Sequence, residues 1–327
     1  MFAKKYTRIR KENRTKLQEV IPLQTPFHIF VDPSSSCNFR CKFCFNRNKD
    51  KSDSKVMKFD LFVKIINDLK QFPNKLKVLR LYKDGEPLVN KRLPEMIAYA
   101  KQMNVAESID FTTNGSLLCP EKNLELIESG VDAINISVEG LSAEKYLEVS
   151  GVKIDFDRYV ENIRHLYKNR KNCRIHIKTT DVNIENEEER FYEIFGNICD
   201  EISIEKVVPI WPNVDITDVK SDFKTGLYNQ KIKGVKVCPY IFYSMSINSD
   251  GSVSSCFIDW QHTNVIGDVR QNSVKEIWEG IAMKELRMSH LKMQKDKHNI
   301  CSECKQLEFA TIDNIDDYAS ELLDRVK

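Results

Sequence analysis

The feature that most constrains this chain is a run of three cysteines, Cys37-Asn-Phe-Arg-Cys41-Lys-Phe-Cys44, with three and then two residues between them. The run directly follows the mostly apolar segment Phe27–Val31, which reads as a β-strand. Three thiolates this close together can each bind one iron of a [4Fe–4S] cluster, which leaves the fourth iron open to a ligand that is not protein. The alternative is zinc bound by these cysteines and the nearby His28, although cysteine-rich zinc motifs usually come as two separated pairs.

Length and charge limit the class of protein. The 327 residues suffice for one large domain and a small one, with a sizeable buried core. The 50 basic and 48 acidic residues nearly cancel, so no overall field points to nucleic acid. No apolar run approaches the ~18 residues of a membrane span, and the N-terminus has no segment of signal-peptide type. We therefore expect a cytoplasmic protein, not bound to a membrane, whose ten cysteines are reduced.

Residues 27–209 alternate short β-branched segments with segments of helical periodicity, which predicts parallel βαβ units. Strands are predicted at Phe27–Val31, Lys77–Leu81, Ser108–Thr112, Ala133–Ser137, Arg174–Thr179 and Ile202–Val207. Helices are predicted at Phe59–Gln71, Leu93–Met103, Glu121–Glu128, Phe156–Tyr167 and Glu187–Phe195, with a short turn near Ala143–Val149. Six strands in this order form a doubly wound sheet or a partial, TIM-like (β/α)6 barrel. The cysteine loop favours the barrel, because barrel enzymes build their active sites from loops that follow strands.

Three other segments differ from this repeat. Residues 1–26 form a basic arm that we expect to be solvated, with positive charges at Lys4, Lys5, Arg8, Arg10, Lys11, Arg14 and Lys16. Residues 210–236 have turn residues and weak periodicity, which predicts a bridge across the open end of the barrel. Residues 309–327 contain an amphipathic segment, which predicts a C-terminal helix.

Residues 237–308 predict a small α+β domain, a β-hairpin plus a helix, after the barrel. The turn Ser249-Asp-Gly251 lies between two alternating segments, and helical spacing follows over Ser273–Leu291. The hairpin brings Cys238 and Cys256 to the same end, and Cys301-Ser-Glu-Cys304 follows the helix. Four cysteines complete the ligand set of a metal centre, and the spacing alone leaves tetrahedral zinc and an iron–sulfur cluster both open.

The first cysteine loop resembles the cluster loop of the radical S-adenosylmethionine (SAM) superfamily, with Phe43 at the aromatic position before the third cysteine. The resemblance implies that the open iron binds the amino and carboxylate groups of SAM. It also implies that an electron from the cluster splits SAM into methionine and a 5′-deoxyadenosyl radical, which takes a hydrogen atom from an unactivated C–H bond. A six-stranded partial barrel and a flavodoxin or ferredoxin as reductant belong to the same expectation.

Turns after later strands resemble the SAM-binding turns of that family. Lys83-Asp-Gly-Glu-Pro87 resembles the Gly-Gly-Glu-Pro turn that contacts the SAM amino group, with Asp84 in place of the first glycine. Thr112-Thr-Asn-Gly115 resembles the Thr-Asn-Gly after the third strand, and Ser137-Val-Glu-Gly140 resembles the loop that reaches the ribose. The cofactor contacts so implied are Phe43, Gly85, Glu86, Pro87, Thr113, Asn114, Ser137 and Glu139. Lys178 is a further candidate, for the SAM carboxylate, with a solvated lysine as the alternative.

The second cysteine set resembles the C-terminal SPASM/twitch region of radical SAM enzymes, which binds an auxiliary [4Fe–4S] cluster. The resemblance rests on Cys238, Gly251, Cys256, Gly267, Asp268, Trp278 and the final C-x2-C. It implies Cys238, Cys256, Cys301 and Cys304 as ligands, and therefore two clusters in all. Full SPASM members carry further cysteines, which are lacking after Cys304. The shorter twitch arrangement is therefore implied, as known in an aminocyclitol dehydrogenase of antibiotic biosynthesis.

Three classes of function remain. We expect an oxidoreductase or epimerase acting on a carbohydrate, aminocyclitol or sugar nucleotide. A maturase that modifies a ribosomal peptide is the alternative, which the absence of an N-terminal domain for leader recognition disfavours. A non-catalytic iron–sulfur or zinc protein lies outside the family's chemistry. Substrate contacts are expected among Tyr82, Lys83, Glu139, Asp181, Glu205 and Trp211.

The substrate radical can be oxidised or quenched, and the cysteines bear on this choice. A fully cysteine-ligated auxiliary cluster is suited to accepting an electron, which favours a two-electron dehydrogenation of a C–OH centre. Quenching, as in an epimerisation, needs a hydrogen donor, usually a thiol. Cys173 and Cys199 precede strands at the far end of the barrel, where buried structural thiols are expected. Cys119 follows the third strand and is the candidate hydrogen donor.

Overall fold

The computed structural model describes residues 2–6, 14–50, 52 and 54–327, and these are organised around one ten-stranded sheet. Its strands are β1 (Lys4–Lys5), β2 (His28–Val31), β3 (Leu76–Arg80), β4 (Ala106–Thr113), β5 (Ala133–Val138), β6 (Arg174–Thr180), β7 (Glu201–Glu205), β8 (Ser244–Ile247), β9 (Ser252–Ser254) and β10 (Val265–Asp268). Their order across the sheet is β1-β7-β6-β5-β4-β3-β2-β8-β9-β10. Neighbours from β1 to β8 are parallel, and β8, β9 and β10 are antiparallel.

Helices cover one face of this sheet and build the C-terminal part. Within the described residues they are α1 (Leu17–Val20), α2 (Phe59–Leu69), α3 (Leu93–Met103), α4 (Pro120–Glu128), α5 (Ala143–Ser150), α6 (Phe156–Asn169), α7 (Asp181–Ile184), α8 (Glu188–Phe195), α9 (Val274–Glu279), α10 (Ile281–Leu291), α11 (Asn299–Ser302), α12 (Gln306–Phe309) and α13 (Ala319–Val326). None of the helices that the structure describes is long and apolar enough to cross a bilayer.

The parallel strands β2 to β7 and their helices form the partial (β/α)6 barrel that the sequence predicts, each element within a few residues of its expected bounds. The helix predicted over Ser273–Leu291 is instead two helices, because Gly280 is extended, with ψ 161°, and starts α10 anew. The basic arm also differs from the expectation, since Lys4–Lys5 pair with β7 as a parallel edge strand. Arg8, Arg10 and Lys11 of that arm lie outside the described residues.

The predicted hairpin, β8 and β9, is part of the barrel sheet rather than a separate one. β8 pairs in parallel with β2, from His28 opposite Ser244 to Val31 opposite Ile247. The hairpin therefore lies beside the strand that precedes the first cysteine loop. The division into an arm (1–26), barrel (27–209), bridge (210–236), auxiliary domain (237–308) and C-terminal helix (309–327) remains a prediction.

Side chains along the parallel strands alternate between two chemically different faces. The face covered by helices is apolar and fully buried, with Ile29, Leu79, Ile134, Ile177 and Ile202 in the core. The opposite face lies inside the barrel and is polar. We call it the polar face, and its members include Arg80, Asp110, Asn135, His176, Lys178, Ser203 and Glu205, which adjoin one another in register.

Trp278 on α9 fastens the C-terminal part to the barrel, and its loss should destabilise the fold. The ring is 1% exposed, its Nε1 donates to the carbonyl of Leu23 at 3.0 Å, and the Arg287 guanidinium lies 3.9 Å from the ring centre. We expect Trp278→Ala to lower the free energy of unfolding by about 3–5 kcal/mol, because a large cavity replaces the ring.

Urea unfolding followed by circular dichroism measures this change. The matched control is Ile281→Ala, because that side chain is 76% exposed and alanine suits a helix start. Equal effects of the two substitutions would contradict the role given to Trp278.

Candidate active site

The loop after β2 brings the first three cysteines together. The backbone N–H of Cys44 donates to the carbonyl of Cys41 at 3.0 Å, which closes a tight turn. Burial raises the pKa of Cys37 to about 11 and that of Cys44 to about 12. Burial also raises the pKa of Cys41, and nearby Glu139 and the other two thiols add to the effect. The three thiols are thus desolvated neighbours, which fits a shared metal cluster whose positive irons offset the cost of ionising them.

Hydrogen bonds to the end of α5 fix the conformation of this cysteine loop. The N–H groups of Arg40 and Lys42 donate to the carbonyls of Ser150 and Val149 at 2.8 and 3.0 Å. The Arg40 guanidinium also donates to the carbonyls of Cys37 and Phe39, at 3.0 and 2.8 Å. Contacts with α5 and with the Arg40 side chain therefore hold the loop backbone.

The turn after β3 packs directly against the residues that precede Cys37. A Cβ atom at Gly85 would lie less than 3.0 Å from the carbonyl oxygens of Ser34 and Ser36. The N–H of Glu86 donates to the same Ser36 carbonyl at 2.9 Å. Glycine is therefore required at position 85, because only a residue without a side chain allows the turn to approach the cysteine loop this closely.

Glu86 joins this turn to the end of β4. Its buried carboxylate accepts hydrogen bonds from the Thr113 hydroxyl at 2.7 Å, the Asn114 N–H at 2.7 Å and the Leu88 N–H at 3.0 Å. Burial raises the pKa of Glu86 to about 7, against the opposing effect of these donors. The Asn114 amide also donates to Asn38 of the cysteine loop at 2.9 Å. The strand ends predicted to bind SAM are thus tied to each other and to the cysteines, with Pro87 starting a short 3-10 helix.

Asp84, the departure from the family's turn, is buried in a cluster of charged groups. Its carboxylate contacts Lys83 Nζ at 2.7 and 2.8 Å and His262 Nε2 at 2.7 Å. Its N–H donates to Asp32 at 3.3 Å. Lys83 is fully buried and also donates to the Asp259 carbonyl at 3.0 Å, so it does not line a substrate cavity. We call Asp32, Lys83, Asp84 and His262 the buried ion cluster.

Sequence reasoning missed Asp32 and His262. Asp32 directly follows β2, where strand-end carboxylates are expected in a barrel, so its position was a usable signal. His262 is 178 residues away from Asp84 along the chain and lies in an irregular loop. No local pattern connects the two, and only the fold shows the contact.

Glu139, Ser137 and Lys178 lie on neighbouring strand ends. Glu139 is buried, which raises its pKa, and it accepts from the Asn183 amide at 2.9 Å. It lies close enough to the cysteine loop to raise the pKa of all three thiols. Ser137 lies opposite Lys178, and Lys178 Nζ contacts Glu205 at 2.7 Å. Lys178 is therefore a half-buried, paired residue and not a solvated lysine, and Phe43 is partly buried within the cysteine loop.

The other four predicted ligands also lie together. Burial raises the pKa of Cys256, and the charges of Cys238, Cys304 and Cys301 raise it further. Burial likewise raises the pKa of Cys301, to about 12. In the described part of the chain, no three His, Cys, Asp or Glu side chains converge closely enough for a single metal ion. Each set consists of neighbouring thiols, a donor set that suits an iron–sulfur cluster.

The segment after Cys256 returns from the auxiliary set to the barrel. Phe257 stacks on Phe30 of β2 at 5.0 Å, and Trp260 stacks on Phe45 of the cysteine loop at 5.2 Å. Trp211 of the bridge packs edge-on against the same Phe45 at 4.7 Å. Trp211, a predicted substrate contact, thus belongs to an aromatic cluster that holds three segments together.

The polar face carries ionised and hydrogen-bonded pairs. Arg80 Nη1 contacts Asp110 at 2.8 Å and donates to the Tyr82 hydroxyl at 3.3 Å. His176 Nε2 lies 2.9 Å from the Ser203 hydroxyl. Asp181, another predicted substrate contact, accepts hydrogen bonds from the N–H groups of Val182 and Val207 at its Oδ1, at 3.0 and 3.1 Å.

The remaining cysteines lie away from these groups. Cys173 and Cys199 are buried, as predicted. Cys119 is half-buried and directly precedes α4, and no hydrogen bond of its thiol to the polar face is found among the described residues.

Comparison with known proteins agrees with this arrangement. The model of the radical SAM superfamily matches residues 31–193, and that of the SPASM iron–sulfur cluster-binding domain matches residues 238–305. The chain belongs to the radical SAM superfamily. The first match contains Cys37, Cys41 and Cys44, and the second contains the other four predicted ligands. This radical SAM protein accordingly uses SAM and two [4Fe–4S] clusters, in place of the zinc alternative.

The relatives carry different functions. A tungsten-containing aldehyde ferredoxin oxidoreductase cofactor-modifying protein of Pyrococcus furiosus is 26% identical over 290 residues, 77% of this chain and 80% of that protein. A probable GTP 3′,8-cyclase of Methanococcus vannielii is 32% identical over 132 residues, 39% of this chain and 41% of that protein.

Solved structures share the fold at low identity. BtrN in complex with AdoMet and 2-DOIA has a TM-score of 0.58 at 16% identity, over 89% of this chain and 97% of its own. SuiB of Streptococcus suis bound to precursor peptide SuiA has a TM-score of 0.62 at 15% identity, over 86% and 74%. At such identities the likeness shows the fold alone.

The close approach at Gly85 leads to a prediction for SAM binding. We expect Gly85→Ala to weaken SAM binding by about tenfold or more, because the added methyl group forces the turn away from Ser34 and Ser36. Equilibrium dialysis of the reconstituted protein with labelled SAM measures the affinity. Gly234→Ala is the matched control, since a Cβ at Gly234 would meet nothing within 4 Å. An affinity of Gly85→Ala within twofold of the wild type would contradict the assignment.

The buried ion cluster predicts a pH-dependent stability. Burial, and then the charge of Asp84, raise the pKa of Asp32 from 3.8 to about 7. Between these values the folded chain holds a proton that the unfolded chain releases, so this group's contribution to stability falls as pH rises. We therefore expect the uncharged Asp32→Asn to be more stable than the wild type at pH 8 by at least about 1 kcal/mol, with little difference near pH 4.

Urea unfolding at several pH values measures this difference. Asp296→Asn is the control, because Asp296 is exposed and its substitution removes no buried charge. If the stability of Asp32→Asn fell with rising pH in parallel with that of the wild type, Asp32 would not be the titrating group.

Proposed function

We propose that this radical SAM protein dehydrogenates a C–OH centre of a polar small molecule, such as a carbohydrate, aminocyclitol or sugar nucleotide. The observation that carries the proposal is the polar face inside the barrel. Its ion pairs, Arg80–Asp110 and Lys178–Glu205, are largely buried, with N–O distances of 2.8 and 2.7 Å. Such side chains can hydrogen-bond the hydroxyl, amino or phosphate groups of a ligand, whereas an apolar lining would suit an apolar ligand.

The relatives support a polar small molecule. One is named a GTP 3′,8-cyclase, after a nucleotide, and another is named for modifying a cofactor. The alignment with the cofactor-modifying protein covers most of both chains, so modification of an enzyme-bound cofactor is a second candidate function. Peptide modification remains the alternative from the sequence, and SuiB with its precursor peptide shares the fold.

We propose that Cys37, Cys41 and Cys44 hold the first cluster and that the neighbouring strand ends hold SAM. When bound, these groups supply the 5′-deoxyadenosyl radical that abstracts a hydrogen atom. The turn 85–87, with Thr113 and Asn114, would position the methionine part, since Glu86 uses its own carboxylate to fix this turn. Ser137 and Glu139 would face the ribose, and Lys178, opposite Ser137 on the neighbouring strand β6, would contact the carboxylate.

Oxidation of the substrate radical is supported over quenching. After losing a hydrogen atom, the substrate must lose one electron and one proton to become a carbonyl. The four thiols of Cys238, Cys256, Cys301 and Cys304 can ligate every iron of an auxiliary cluster, which suits it to accept that electron. Cys119, the candidate hydrogen donor, directly precedes α4, a helix that packs against α3 and α6. This position disfavours an epimerisation that uses its thiol.

Substitutions in the two cysteine sets should have different effects on SAM cleavage and product formation. Replacing Cys37, Cys41 and Cys44 by Ala should abolish SAM cleavage, because no open iron remains to bind SAM and deliver the electron. Replacing Cys301 and Cys304 should leave part of the cleavage while abolishing product. Release of 5′-deoxyadenosine and iron content measure the effects, with about eight irons per chain expected in the wild type. Loss of cleavage in a folded auxiliary variant that keeps four irons would argue against this separation.

Deuterated water tests the fate of the substrate radical. With candidate sugars, aminocyclitols and nucleotides, we expect an oxidised product with no deuterium fixed at the reacting carbon, detected by mass spectrometry. Cys119→Ala should behave as the wild type. An unoxidised product that carries one deuterium, and that is lost in Cys119→Ala, would establish epimerisation instead.

A further inference from the structure

We propose that a basic groove beside the first cysteine loop is the docking surface for the electron donor, a small acidic one-electron carrier protein. The groove is a cleft of about 540 Å³ lined by residues 56–60 and 89–92. The inference rests on the proposed radical chemistry, which needs one electron for each SAM cleaved. It adds the face of the molecule through which that electron enters.

The groove is in contact with the backbone that leads to Cys37. The N–H of Ser35 donates to the Lys55 carbonyl at 2.9 Å, and the Lys55 N–H donates to the Ser35 hydroxyl at 2.9 Å. Asn90 donates to the carbonyls of Pro33 and Met57 at 3.0 and 3.1 Å. The groove is therefore next to the segment of residues 33–35 that leads into the cysteine loop.

Charge around the groove is positive on balance, although the exposed Asp60 also lines it and Arg92 pairs with Glu95 at 2.6 Å. Lys55, Lys58 and Lys91 are exposed and form no ion pair among the residues that the structure describes. Along the cysteine loop, Lys42 is paired with Glu148 at 3.2 Å and Arg47 with Asp218 at 2.8 Å, whereas Arg40 and Lys49 donate to backbone carbonyls. The whole chain has a net charge of only +2, so three unpaired lysines in one place make a distinct local field. Such a field attracts an acidic protein and orients it.

The groove also offers an apolar contact between the charges. Val56 is 49% exposed, and the Arg92 guanidinium lies 3.9 Å from the ring centre of the half-buried Phe59. Electron-transfer complexes are small and transient, with charged rims that set the association rate. In the encounter the carrier is oxidised by one electron, and the first cluster is reduced by one.

Reversing the groove charges tests the proposal. In the reconstituted protein, the triple variant Lys55→Glu, Lys58→Glu and Lys91→Glu should bind a flavodoxin about tenfold more weakly at low salt. Lys58 lies just before α2, where a carboxylate is favourable, so folding should be retained. The control is the pair Lys70→Glu and Lys168→Glu, exposed residues that precede strands at the other end of the barrel. Calorimetric titration measures both affinities.

A chemical reductant separates docking from catalysis. With dithionite, 5′-deoxyadenosine formation in the triple variant should equal the wild type, whereas with reduced flavodoxin it should fall about tenfold. Unchanged flavodoxin affinity in the triple variant, or an equal loss in the control pair, would overturn the docking surface and leave the proposed function intact. Loss of cleavage with dithionite would also overturn it, because the lysines would then act on SAM cleavage itself. Failure of the wild type with dithionite would count against the proposed radical chemistry.

Discussion

The parallel pairing of β8 with β2 is the contact on which the arrangement of both cysteine sets depends. It extends the barrel sheet by four residue pairs into the hairpin of the auxiliary region. The segment after the hairpin then crosses the inner side of β2, where Phe257 stacks on Phe30, and reaches the turn after β3 through His262. Together with the aromatic contacts of Phe45 and the contact between Asp84 and His262, this pairing positions the auxiliary region relative to the first cysteine loop. The segments that carry the two cysteine sets are therefore connected to one continuous sheet.

The polar face explains why the barrel interior suits polar chemistry. In a parallel sheet covered by helices, one face supplies the apolar core and the other is free to differ. Here Ile29, Leu79 and Ile177 take the first role, while Arg80, His176 and Lys178 occupy the second. Buried charges are costly unless they are paired, which accounts for the ion pairs between neighbouring strands, Arg80 with Asp110 and Lys178 with Glu205. A ligand that replaces one of these pairings must therefore offer groups of similar polarity.

Sequence predicts best where the signal is local. Patterns within a few residues predict the cysteine loop, each strand and helix of the barrel, and the turn with Gly85 and Glu86. The structure has these features as expected. Contacts between distant segments had no such signal. β1 is only two residues long, and the pairing of β8 with β2 joins segments more than 200 residues apart. The contacts of individual side chains could not be predicted from the sequence either. By position Lys83, Asp181 and Trp211 look like ligand contacts, but in the structure they contact other residues of the chain. The division into domains and the SAM contacts themselves stay predictions.

Charge balance in the buried ion cluster explains how an aspartate can occupy a position where the family has glycine. Lys83 supplies one positive charge to Asp84, and His262 supplies a second hydrogen-bonding partner. These partners hold the pKa of Asp84 below its usual value despite full burial. Burial, and then repulsion from the ionised Asp84, raise the pKa of Asp32 to about 7, so below that pH the cluster holds only one ionised carboxylate. Asp84, Lys83 and His262 consequently act as one unit that ties the turn next to the cysteine loop to the auxiliary region. A glycine at position 84 would leave the buried Lys83 ammonium without its carboxylate partner. An unpaired buried charge costs more free energy than the buried pair of Lys83 and Asp84.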